Sequence, residues 1–144
     1  MSVYIRRGKH PHEVVLLAAA FLLGLSGSLA FNATATSTAR TLPFPFGHLL
    51  YAGMAFGAAI ALVGVFWPGI TGALIERAGL ILVSTWSLVY GVVVLFNSGA
   101  RGIMFGGFMA AFAAASLWRV WQIAKEAREV AAARAYLKRA GGEP

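Results

Sequence analysis

ALIERAGLILVSTWSLVYGVVVLF, residues 73–96, opens with one acid and one base and then carries no charged residue from Ala78 to Phe96. At about 1.5 Å per helical residue such a run covers roughly 28 Å, close to the ~30 Å hydrocarbon core of a bilayer. Three further runs share this character: Val14 to Phe31, Leu49 to Trp67 and Ile103 to Val120, with Arg119 as the one charge inside them. The chain as a whole is 59% hydrophobic and 12% charged, with mean hydropathy +0.74, far from a water-soluble composition. The expected fold is an all-α integral membrane protein with four transmembrane helices at about 14–31, 49–67, 78–96 and 103–120. The links 32–48, 68–77 and 97–102 are short and bear Pro or Gly, so neighbouring helices should run antiparallel, as two hairpins. A basic segment, 1–12, precedes the membrane domain, 13–122, and a basic helical tail, 123–144, follows it.

Lys and Arg divide unevenly between the two ends of the spans. Arg6, Arg7, Lys9, Arg77, Arg119, Lys125, Arg128, Arg134, Lys138 and Arg139 fall on one side, and Arg40 and Arg101 on the other. Basic residues near span ends are retained in the cytoplasm, so both termini are expected there. Trp67, Trp118 and Trp121 then mark the cytoplasmic interface, while Phe44, Phe46, Tyr51 and Phe96 line the outer one. On this reading Glu13 and Glu76 sit at helix starts, where the helix dipole favours a carboxylate, and Arg77 reaches toward lipid phosphate. The alternative for Glu76 and Arg77 is a buried pair acting as a proton or ion relay. Residues 1–30 also fit a secretory signal, with a charged start, a short apolar stretch and SLA before Phe31, which would leave three spans. The unbroken apolar run to Phe31 favours a retained first span.

Helices in lipid associate through close packing at small residues. Such residues recur four apart: Ala20, Gly24 and Ser28; Gly53, Gly57 and Ala61; Gly102, Gly106, Ala110 and Ala114. GMAFG (53–57) and GIMFG (102–106) are G-x-x-x-G matches within apolar spans. Either these stripes pack the bundle internally or one of them faces a second copy and drives homo-oligomerisation. Ser84, Thr85 and Ser87 can bond across helices or back to their own carbonyls.

Beyond Trp121, Lys125, Arg128, Arg134, Lys138 and Arg139 against Glu126, Glu129 and Glu143 leave the tail at net +2, with the charges from 125 to 139 spread around a helix. That arrangement suits anionic lipid headgroups better than nucleic acid, and no nucleic acid partner is expected. Cysteine and Asp are both absent from the chain. His10, His12 and His48 have no ligand set around them, so neither a metal, a cofactor, a small-molecule substrate nor catalysis is expected.

HPHEVVLLAAAFLLGLSG (10–27) and LIERAGLIL (74–82), followed by an apolar fourth span ending in WRVWQI (118–123), resemble the small multi-pass membrane proteins of tailed phages that infect actinobacteria. The resemblance covers most of residues 10–123, and the longer outer loop, 32–48, departs from the family pattern. It implies a protein of the host bacterial cytoplasmic membrane, holin-like in permeabilising that membrane through helix association. The alternative is a membrane protein without a pore, serving superinfection exclusion or docking a virion component.

Overall fold

A computed structural model describes residues 11–139, apart from the side-chain environments at 34, 37, 38, 134, 137 and 138. The expected roles of Arg6, Arg7, Lys9 and His10 lie outside the described residues, as do the side chains of Arg134 and Lys138. The fold is all-helical: α1 (Pro11–Leu29), α2 (Phe31–Thr34), α3 (Ser37–Arg40), α4 (Phe46–Phe66), α5 (Gly69–Ser98) and α6 (Ile103–Arg139), with a 3₁₀ turn at Gly99–Gly102. Among the described residues, three helical runs are long and apolar enough to cross a membrane: Pro11–Leu29, Phe46–Phe66 and Gly69–Ala133. The last folds back on itself at Gly99, whose φ of +52° is a conformation that glycine adopts without a Cβ penalty. Beyond that turn α6 lies against α5, with Gly106 facing Leu95 and Gly91.

The helices pack in chain order, α1 on α4, α4 on α5 and α5 on α6. The α4–α5 seam is the tightest, because small residues alternate across it. A Cβ on Gly57 would lie 2.9 Å from the Val83 nitrogen, and one on Gly79 would collide with the Ala61 backbone. Gly64 likewise leaves room for the Glu76 backbone. Dispersion between closely approaching backbones, rather than expulsion of water, holds such a seam in lipid. Large apolar side chains point outward along every long helix, among them Leu22, Leu23, Phe56, Val63, Leu88 and Phe108.

The connection between α4 and α5 is much shorter than the expected link at 68–77. Only Trp67 and Pro68 separate the helices. Proline lacks an N–H and suits a helix start, and Gly72 lets the first turn of α5 close over the Trp67 carbonyl. Glu76 is therefore carried two turns into a helix and placed against α4.

The outer link also differs from a plain polar loop. Its two short helices fold back onto the bundle, burying Ala35 and Ala39 completely or nearly so. Thr36 caps α3 by accepting a hydrogen bond from the Ala39 nitrogen. Arg40 donates to the Asn32 carbonyl at 2.8 Å, and Phe31 stacks on His48 with ring centroids 4.1 Å apart.

Candidate functional site

Adjacent helical residues point about 100° apart, and Glu76 and Arg77 separate accordingly. Arg77 is exposed, whereas the Glu76 side chain is 2% exposed and faces the bundle interior. Glu76 is therefore not an exposed carboxylate at a helix start, as expected, but a member of a buried ion cluster. Arg119 Nε lies 3.5 Å from Glu76 Oε1 and 3.3 Å from Glu13 Oε1, and its Nη1 lies 4.0 Å from Glu126 Oε1. The Glu13 and Arg119 side chains are themselves only 17% and 15% exposed. Arg119, read from the sequence as one more cytoplasmic cation, is the hub that joins α1, α5 and α6.

The signal for this cluster was present in the chain. Glu13 precedes the first apolar run, Glu76 precedes the third and Arg119 closes the fourth, and the packed helices bring all three side chains together. Charges at one depth in an apolar bundle pair with one another, because isolated burial costs far more.

Above the cluster, α1 and α6 stand apart. A cavity of about 320 Å³ separates them, floored by Leu17 and Leu80 and walled by Leu16, Phe112 and Trp118, with Glu13 and Arg119 at its polar end. Ser116, also on its wall, returns its hydroxyl to the Phe112 carbonyl at 3.0 Å.

At the opposite end the hydroxyls of Thr36, Tyr51 and Tyr90 meet. Thr36 Oγ1 and Tyr90 Oη are 2.6 Å apart, Tyr51 Oη is 3.4 Å from Tyr90 Oη, and the Thr36 N–H donates to Tyr51 Oη at 3.2 Å. This network ties the outer link to α4 and α5. Removing one member leaves its partners in an apolar setting, so Tyr90→Phe is expected to cost about 1 kcal/mol. It should also speed amide hydrogen exchange across 36–40, read by mass spectrometry, without changing exchange in α6.

The other expected site residues fall as follows. Gly24 faces the Ala55 and Tyr51 backbone, Gly53 faces Trp86, and Gly102 faces the Val94 carbonyl, so these stripes are filled within the chain. Ser28 donates to the Leu25 carbonyl, and Ala110 is exposed. Trp67, Trp118 and Trp121 are about half exposed or more. Trp118 and Trp121 lie 5.2 Å apart, and Lys125 Nζ stands 5.8 Å from the Trp121 ring. Lys125, Arg128 and Arg139 are exposed along the tail. Ser84 and Thr85 both bond to the Ile81 carbonyl at 2.9 Å, while Ser87 Oγ is buried without a hydrogen-bond partner. No group of metal-ligating residues occurs among the described residues. No family model, curated protein or solved structure matches the chain.

Proposed function

We propose that the chain is a four-span protein of a bacterial cytoplasmic membrane, with both termini cytoplasmic, that self-associates and permeabilises the bilayer in the manner of a holin. α5 and α6 each exceed the ~20 residues a span needs, and their antiparallel packing supports two crossings within the run Gly69–Ala133. The basic tail supports the orientation, its exposed Lys125, Arg128 and Arg139 each adding ~1 kcal/mol of attraction to an anionic leaflet.

The observation that carries self-association is the face of α6 turned away from α5. Gly107 has nothing within 4 Å of where a Cβ would sit, and Ala111 and Ala114 are exposed beside it. Their 4 and 3 spacing makes a smooth strip against which a second helix can pack closely. Of the two roles open to the small residues Gly24, Gly53, Gly57, Gly102 and Gly106, they take the internal one, which leaves this strip for a contact between copies. The same internal occupation favours the second reading, a self-contained bundle with a binding or structural role.

Induced expression in a bacterial host with a voltage-sensitive dye separates the two. An abrupt depolarisation that is lost in a Gly107→Leu, Ala111→Leu double variant, with unchanged membrane accumulation, supports the holin-like reading. Full potential at high expression of the parent chain overturns it.

A further inference from the structure

We infer that the cleft between α1 and α6 is a binding site for a zwitterionic amino-phospholipid, with one acyl chain in the cavity and the primary ammonium of the headgroup on Glu13. This rests on the chain lying in a bilayer and is independent of self-association.

Three features carry it. The cavity, about 320 Å³, is at the lower end of the range for ligand sites and is walled mainly by apolar side chains. Its charged end sits at the level of the first turn of α1, beside Trp118 and Trp121, the depth at which headgroups meet acyl chains. Glu13 Oε1 is buried and lacks a hydrogen-bond donor although Arg119 Nε is 3.3 Å away, and Arg119 Nε likewise lacks an acceptor in bonding geometry. The ion pair is close enough for attraction yet leaves hydrogen-bonding capacity on both members.

Charge complementarity selects the headgroup. An anionic phospholipid would bring its phosphate to Arg119 but set it beside Glu13 and Glu126. A choline headgroup has no N–H to offer. A primary ammonium supplies three donors to the carboxylates while the adjoining phosphate faces the guanidinium, so both signs of the headgroup meet their opposites.

The test uses the full chain in nanodiscs of phosphatidylcholine doped with acyl-brominated phosphatidylethanolamine, phosphatidylglycerol or phosphatidylcholine. Bromine quenches nearby tryptophan, and the Trp118 contribution is isolated by comparison with Trp118→Phe. The expected result is about a tenfold preference for the ethanolamine lipid, the equivalent of one net charge-assisted hydrogen bond. Glu13→Gln should reduce that preference to the choline level. Ala115 also lines the cavity, and Ala115→Phe, which narrows it and leaves the ion pair in place, should abolish the preference too and carries the test if Glu13→Gln does not fold. Equal quenching by the three lipids, or a preference for phosphatidylglycerol, overturns the inference. Absence of quenching at every tryptophan would instead sink the membrane reading on which it rests.

Discussion

Arg119→Leu is expected to lower the stability of the bundle by about 3–5 kcal/mol, the largest loss from any single side-chain replacement in this fold. The guanidinium is shared by Glu13 and Glu76, and the Glu76 side chain is almost wholly withdrawn from solvent. Leucine fits the apolar surroundings, so the loss arises from two carboxylates deprived of the guanidinium they share, not from a hole. The measurement is equilibrium unfolding in mixed detergent followed by far-UV circular dichroism. A companion triple variant, Arg119→Leu with Glu13→Gln and Glu76→Gln, should regain much of the loss, because neutral amides cost less to bury than charges. Near-parental stability in Arg119→Leu alone would mean that the ion cluster contributes nothing to holding α1, α5 and α6 together.

Gly79→Leu is expected to be nearly as damaging, at about 3 kcal/mol or more, through a different cause. A side chain at this position runs into the Ala61 backbone, which cannot rotate away as a flexible side chain can. The α4–α5 seam must open along its length, forfeiting contacts at Gly57 and Gly64 as well. Gly107→Leu on α6 provides the contrast, with stability within about 0.5 kcal/mol of the parent since that position is open. Thermal unfolding of both variants in the same detergent checks the pair. Equal destabilisation would contradict the assignment of one glycine to the interior and the other to the exterior. The contrast also governs how activity measurements are read: leucine at Gly57 or Gly106 disturbs the fold before it reaches any contact between copies.

The long helices were legible because lipid demands uninterrupted apolar runs, and Val14–Phe31, Leu49–Trp67 and Ala78–Phe96 supply them without ambiguity. Helix ends were less so. Ile70, Ala73, Leu74 and Ile75 are apolar enough to continue a helix upstream of Glu76, but the Pro68-Gly69 pair reads equally as a turn or as a helix start. Which way a charged residue faces depends on that boundary, and so the sequence reads Glu76 as an exposed helix-start carboxylate although it is buried two turns into α5. The small-residue stripes were visible as periodicity, yet period alone gives no direction. Gly106 and Gly107 are neighbours, and only the placement of α5 decides that the first is covered and the second is not. The hydroxyl network was hidden for a further reason: Thr36 reaches Tyr90 across 54 positions of sequence, and no local pattern encodes such a contact.

Glu13 and Arg119 belong to the first and the last helix, with about 100 residues of chain between them. A ribosome delivers the acid early and its partner late. Throughout that interval the first helix carries a carboxylate whose counter-charge has not yet been made, and packing on α4 does most to hold it in place. The contact thus closes only after this part of α6 has been made. Chains that end before α6 retain Glu13 and Glu76 without the guanidinium that neutralises them, a defect of the kind that membrane quality-control proteases can sense. The ion cluster is in this respect a latch on the assembly of α1, α5 and α6, set by an arginine made after both of the carboxylates it joins.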